Sequence, residues 1–474
     1  MNKTEEKGTH SNINLIRGDP KTAIKKLAWP MMVSMFLIMA YNLADSIWVA
    51  GLGSDALAAL GFITPLFMVV VGLGNGLGAG ANSLIARSIG AKDKQTADNA
   101  ALHAIIITII ISIIAPIIIL LFLKDVLLLM GAGTATQAGL DYGNIVFGFI
   151  FVILFSSVIS SILRSEGDVK RAMYAMAVTA ILNIIIDPIF IYVFGWGMAG
   201  AAIATVLSAL ISCLVMAYWI WFKKDTYLSL GWSSFKYKAS IIKDILMVAI
   251  PATAENLVMS ILGIIMNSLL VIVGGTIAVA AYTAGMRIIQ LAMIPIIGFG
   301  TAVLTVAGAA FGAHNYEKLE TGFHYTIKIG FILSIILGAI MFIFAPQIAL
   351  IFSYTSSSAD LSVQITEVLR ILSFFLVPIP FGVVASMVFQ GVGKGTTSLI
   401  ITIFRSLLFE SIFAYLFGIV FGWGLIGMYI GIVFGCTLGA IIGYIWSRLF
   451  LKSFKKEVLS KYGTLDGSSP SLKK

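Results

Sequence analysis

A chain of 474 residues that is 59% hydrophobic and 11% charged, with a mean hydropathy of +1.01, carries more apolar surface than a soluble core of that size can bury. Its apolar runs are long and unbroken, which excludes the alternating pattern of an outer-membrane barrel and leaves a polytopic helical membrane protein. The formal net charge of +9 sits in alternate loops between those runs, so it reads as membrane topology rather than a nucleic-acid footprint.

In chain order, residues 1–23 form a polar, charged segment without the apolar core and cleavage site of a signal peptide, so the first span is expected to be its own insertion signal. Twelve spans follow, at about 27–50, 56–86, 101–123, 142–163, 173–194, 200–222, 246–273, 277–311, 324–345, 366–391, 397–420 and 426–450. The second and eighth are too long for simple crossings and are expected to tilt or to project into the cytoplasm. Basic residues cluster at the amino end (Arg17, Lys21, Lys25, Lys26) and then recur in every second loop. Those loops carry Arg87, Lys92 and Lys94; Lys170 and Arg171; Lys223 to Lys243; Lys318; Lys394; and the tail from Arg448. The intervening loops carry almost none, Lys124 being the clear exception. The positive-inside rule therefore sets both termini in the cytoplasm and the protein in the cell membrane.

Two acids lie where hydrocarbon is expected: Asp45 in the first span and Asp187 in the fifth. A carboxylate at the centre of a span costs about 2.5–3.5 kcal/mol even on the lenient insertion scale, so such residues are usually functional. Asn183 precedes Asp187 by one turn on the same face, and Pro188, which has no N–H, cannot bond the carbonyl of Ile184. One turn thus offers an amide, a carboxylate and a freed carbonyl, a suitable seat for a proton or a small cation. Tyr41 and Asn42 share the face of Asp45, and Thr205, Ser208 and Ser212 make a hydroxyl stripe on the sixth span. Such hydroxyls more often bond a backbone carbonyl or let helices approach. Glu255 on the seventh span is a candidate for meeting a cationic substrate across a central cleft, or for sitting in water near the cytoplasmic end. Arg287, Arg370, Arg405 and Glu410 are expected to snorkel to span ends or to pair. The glycines of the second span (Gly72, Gly74, Gly76, Gly78, Gly80) lack the Lys-Ser/Thr of a phosphate loop and read as a close-packing stripe. Cys213 and Cys436 lie within spans and read as small apolar residues. The four histidines have no metal spacing, and no nucleophile–base pair marks an enzyme.

The chain is also duplicated. Phe194-Gly-Trp-Gly with Gly200 reappears as Phe421-Gly-Trp-Gly with Gly427, an offset of 227, and Gly90-Ala91 matches Gly312-Ala313 at 222. Ala28 and Pro30 match Ala249 and Pro251. The expected fold is all-α: twelve transmembrane helices in two six-helix lobes, about 24–222 and 242–450, joined by a cytoplasmic linker 223–241 and followed by a tail 451–474. Six spans per half make the halves parallel repeats, an arrangement suited to rocking between inward-open and outward-open states. At these offsets Asp45 falls on Asn267 and Asp187 on Ala414, so ion coupling is expected to belong to the first half alone.

On these residues the chain resembles the multidrug and toxic compound extrusion (MATE) family over nearly its whole length. The resemblance rests on Tyr41-Asn42-Leu43-Ala44-Asp45, on Leu182-Asn183-Ile184-Ile185-Ile186-Asp187-Pro188, and on the loops after Gly90 and Gly312. It points to the DinF-like and archaeal branch, whose cation site lies in the amino-terminal lobe; carried over by position, that site is Asp45, Asn183, Asp187 and Thr205. The NorM-like branch adds acids in the other lobe, but here Glu255 lies closer to its proline than that pattern expects and the tenth span has no aspartate. The resemblance implies a secondary active exporter that exchanges amphipathic, often cationic, drugs or metabolites for inward Na⁺ or H⁺ by alternating access. It implies no cofactor beyond the coupling ion, no nucleic acid, membrane lipids as surroundings and a monomer. Two rivals stand beside it. A lipid-linked oligosaccharide flippase of the same superfold would line its cleft with Arg and Lys; a channel or scaffold would need no buried acids in one lobe only.

Overall fold

The computed structural model describes residues 12–223, 225–231, 235–351 and 359–467, and among them there is helix and no strand. Among the described residues nine helices are long and apolar enough to cross a bilayer, and two bent pairs bring the number to 11. One of the nine, Ala239–Gly312, runs for 74 residues but is broken at Gly275, where φ is 68° and ψ −164°. Only glycine takes that backbone without strain, and the break makes two crossings of one helix. The total is twelve, at the places the apolar runs predict, in a multi-pass membrane protein. The second span, Ser54–Gly90, has 37 residues; at 1.5 Å per residue it is about 55 Å long against a hydrocarbon core of about 30 Å, so it must tilt or overhang.

Two spans depart from the straight helices read from sequence. The fourth is a pair, Gly133–Gly148 and Ile150–Ser165, bent by 50°, and the tenth is Leu361–Leu376 with Ile379–Gly391, bent by 49°. In the tenth the cause is Pro378 and Pro380, which deprive the turn of two donors. In the fourth the break falls at Phe149, whose φ of −102° and ψ of 27° leave the helical region. The duplication has kept the bend in both halves, although only one half keeps prolines at it.

The repeated Phe-Gly-Trp-Gly folds the same way twice. Each is preceded by a widened π turn, Ile189–Val193 and Leu416–Val420. The Phe194 N–H then donates to the Ile189 carbonyl at 2.9 Å, and Phe421 to Leu416 at 2.8 Å. Trp196 and Trp423 close the turns on Phe190 and Phe417 at 3.1 and 3.2 Å. The first glycine of each motif has a φ near 70°, at Gly195 and Gly422, which a side chain would strain.

The chain falls into two compact units, residues 1–18 with 29–253 and residues 19–28 with 254–474. The first unit has two apolar clusters, one around Ile85, Leu102 and Ile159 and the other around Ile63, Leu123 and Phe147. The second unit packs around Leu270, Ile289, Leu369 and Tyr429. Apolar burial gives little drive between helices in lipid, so association rests on close packing. In the second span Gly74 and Gly78 face Ser157 and Ser161, and Gly76 and Gly80 face the backbone of Ala249 and Ile245. That is the packing role expected of the stripe. Large side chains at helical spacing, such as Ile113, Ile117 and Leu121, lie outward at 57–70% exposure, a surface fit for lipid.

The described part of the polar linker is docked onto the first unit. Asp98 accepts from Ser229 N–H at 2.9 Å, Asn99 exchanges two bonds with the Lys236 backbone, and His103 accepts from Lys238 N–H at 3.2 Å. Glu166 accepts from Leu228 N–H at 3.1 Å, and Asp225 pairs with Arg171 and Lys223. Asp98, Asn99, His103 and Glu166 thereby satisfy backbone groups that have no ladder to join.

Candidate functional site

Asp187 is fully buried near the end of the helix Val169–Pro188, just before its π turn. Asp45 is 8% exposed on the helix Pro20–Ala50, and the two carboxyls come within hydrogen-bonding reach of each other. The Asn183 amide donates to Asp187 Oδ1 at 3.2 Å and to Thr205 Oγ1 at 3.4 Å. Tyr142, from the bent fourth span, is buried at 5% exposure beside Thr205 and both acids. Four spans thus meet at Asp45, Asn183, Asp187, Thr205 and Tyr142, all within the first unit.

The accounting of donors is uneven. Asp45 Oδ1, Asp187 Oδ2 and Asn183 Oδ1 are buried oxygens with no hydrogen-bond partner among the described residues. Among the described residues, the charged group that acts on each of the two carboxyls is the other. Adjacent buried carboxylates without a cation are costly. The three oxygens could hold a shared proton or a small cation, since hard oxygen donors are what such an ion takes in place of water.

A second tie holds the frame. The Tyr192 hydroxyl, on the π turn after Asp187, donates to the Trp48 carbonyl on the first span. Trp48 and Tyr192 also meet edge to face at 6.5 Å between ring centroids. The segment that follows Asp45 is thus fastened to the segment that follows Asp187.

The other predicted residues scatter. Tyr41 is half-buried and within range of the Asp45 charge, whereas Asn42 is exposed and only its backbone carbonyl is engaged, by Ser46 at 2.9 Å. Within the hydroxyl stripe, Ser208 and Ser212 bond the carbonyls of Ala204 and Ala175 at 2.7 and 2.8 Å, the ordinary use of such groups. Only Thr205 joins the acids. Glu255 belongs to the second unit, where Ser398 donates to it at 2.6 Å and Gln390 to both its oxygens at 3.3 Å. Arg287 and Arg370 are exposed. Arg405 and Glu410, expected to snorkel to span ends or to pair, are buried at 8% and 4% exposure and do not snorkel. The reason is local: both lie in a third π turn, Ile403–Glu410, packed against the glycines of the last span. Cys436 is buried at 1% exposure near Glu410. Tyr142 and Tyr192 carried no signal in sequence, because nothing in a lone tyrosine tells which helix it will face.

Comparison with known proteins follows the same lines. A family model described as MatE matches residues 30–189 and 251–416. The multidrug export protein MepA of Staphylococcus aureus is 26% identical over 390 residues, covering 81% of this chain and 85% of that protein. A solved structure described as MATE in complex with MaL6 has a TM-score of 0.92 and 43% identity, covering 94% of this chain and 99% of that one. A MOP superfamily transporter from Pyrococcus furiosus, whose description speaks of a reverse polarity of its binding pocket and a different function, has a TM-score of 0.91 and 44% identity. It covers 94% of this chain and 98% of its own.

Proposed function

This chain belongs to the MatE family, and from that membership we propose that it is a secondary active multidrug exporter in which inward Na⁺ or H⁺ at Asp45 and Asp187 drives outward movement of amphipathic, often cationic, compounds. The observation that carries the reading is the pair of facing, buried carboxyls with an orphaned oxygen on each and no basic side chain acting on them. A structural role alone leaves that pair unexplained, because well-packed apolar residues in place of buried charged groups are often as stable or more so.

In the proposed cycle one cation occupies the pair at a time. A proton would sit between the carboxyls, with the Asn183 amide donating to Asp187 and to Thr205. Na⁺ would take the free oxygens of Asp45, Asp187 and Asn183 together with Thr205 Oγ1. Either ion changes what holds the first span to the fifth, and that change is passed to the substrate-binding surface by alternating access. A potential of 100 mV supplies about 2.3 kcal/mol per inward charge and a tenfold ion gradient about 1.4 kcal/mol. Together they suffice to concentrate a neutral compound several hundredfold. Both termini cytoplasmic, a monomer in the cell membrane and Glu255 as a substrate contact complete the proposal.

The test is drug efflux from proteoliposomes with a Na⁺ gradient alone, then a pH gradient alone. Efflux driven by at least one is expected. Efflux that persists with both gradients absent and the potential clamped ends the secondary-exporter reading.

A further inference from the structure

The second unit also buries carboxylates, but it treats them differently. We propose that Arg405 is a tethered cation that occupies, within the second unit, the place a transported ion takes in the first, and so closes this half to ion coupling. The inference rests on the cation reading of Asp45 and Asp187, and its experiment separates the failure of one from the failure of the other.

Four observations carry it. First, Arg405 and Glu410 are five residues apart. In an α-helix they would lie about 140° apart around the axis, but the turn Ile403–Glu410 is a π turn, which closes on the fifth residue and brings them to one side. Second, space is cleared for the guanidinium. A Cβ on Gly382 would press on Arg405 Nη1 and Cδ, and one on Gly439 would meet the Cα, Cβ and Cγ of Arg405. Two helices have given up a side chain where this one lies.

Third, Arg405 serves more than one acid. Among the described residues it forms no direct ion pair, yet its charge acts on both Glu255 and Glu410. Its Nε donates to Ser406 Oγ at 3.3 Å, while Nη1 is buried with no partner. Around Glu410 stand Ser406, Cys436 and Tyr282, and around Glu255 stand Ser398 and Gln390. None of these neighbours is a second cation. Fourth, Glu410 stands 227 residues after Asn183, the offset of the repeated turns, so it comes from the same part of the duplicated helix.

The chemistry then follows. A buried carboxylate must be compensated, by a proton, by an ion or by a fixed charge. Guanidinium does not lose its proton in proteins, so Arg405 is a permanent occupant that neither gradient can exchange. Removing it leaves the buried Glu410 and the half-buried Glu255 without a fixed compensating charge, and the second unit should then recruit a cation of its own.

The experiment reads Na⁺ binding by calorimetry and proton uptake with a pH indicator on the purified full chain. In Asp45→Asn/Asp187→Asn, no cation binding is expected. Adding Arg405→Gln should create uptake of one Na⁺ or proton per chain, adding Glu410→Gln and Glu255→Gln should abolish it, and Arg405→Lys should create none. A folded Arg405→Gln chain without the gain overturns the proposal. If Arg405→Gln is too unstable to purify at neutral pH, its thermal midpoint is read in whole membranes. A rise with Na⁺ or acid that disappears in Arg405→Gln/Glu410→Gln supports the tethered cation, and no such rise overturns it. Cation binding in Asp45→Asn/Asp187→Asn that Glu410→Gln removes also overturns it. Binding there that Glu410→Gln leaves intact counts against the first-unit assignment instead, with the gain on Arg405→Gln still read as a difference.

Discussion

The sixth and twelfth spans begin alike and then part. After the two Phe-Gly-Trp-Gly turns, the sixth span carries Gly200, Ala204, Ser208 and Ser212 at four-residue steps; the twelfth carries Gly427, Gly431, Gly435 and Gly439 at the same places. Gly200 packs on the Phe190 carbonyl, and Gly427, Gly431 and Gly435 pack on the backbone at Phe417, Phe413 and Phe409. Gly439 reaches Arg405 itself. A glycine ladder brings two backbones together and makes room beside the last rung for a long side chain, whereas the serines spend their hydroxyls on backbone carbonyls. The duplication therefore kept the turn, which is backbone geometry, and changed the stripe, which decides what charge the neighbouring helix can bury. One half holds acids without a cation and the other holds acids with one.

The largest expected break in this contrast is in the first half. Asp45→Asn and Asp187→Asn should each reduce drug uptake into inverted vesicles by about 100-fold or more, near 2.7 kcal/mol in the rate. Expression and insertion should be intact. Full activity in either variant would remove the coupling assignment.

Transplanting the stripe comes next. Gly439→Ser installs the first-half residue beside Arg405 and should destabilise the chain by about 1–3 kcal/mol through overpacking. The reverse exchange, Ser212→Gly, loses the bond to the Ala175 carbonyl and should cost about 1–2 kcal/mol with the added helix glycine. Thermal midpoints in detergent should fall for both and further for Gly439→Ser; an unchanged midpoint there would mean that Arg405 does not depend on the gap.

A finer cut separates the two ions. Asn183→Ala and Thr205→Ala should weaken Na⁺ activation about tenfold, near 1.4 kcal/mol, if their oxygens are ligands. If the site takes only protons, the same changes should move the pH profile of efflux and leave Na⁺ without effect. The smallest change is expected in the second half. Glu255→Gln should alter efflux of cationic drugs a few-fold, near 0.5–1.5 kcal/mol for hydrogen bonds to Ser398 and Gln390, while ion dependence stays. Loss of ion dependence for every substrate would make the two halves share one site.

What the sequence determined by itself is what one-dimensional patterns can carry. Runs of about twenty apolar residues set twelve crossings, because hydrocarbon thickness is a length. The offset of 227 exposed the duplication, since a turn that needs glycine at positive φ tolerates few replacements. Asp45, Asn183 and Asp187 were legible as candidates because a carboxylate in a lipid-length run is costly wherever it points. Tertiary structure decided which faces met. It joined Thr205, and not Ser208 or Ser212, to the acids and added Tyr142, a choice set by helix rotation and by a bend at Phe149 without proline. It also docked the polar linker on Asp98, Asn99, His103 and Glu166, which the sequence showed only as scattered polar residues. It buried Arg405 and Glu410, because a π turn alters which residues share a side, and that widening leaves no trace in a pattern read at 3.6 residues per turn.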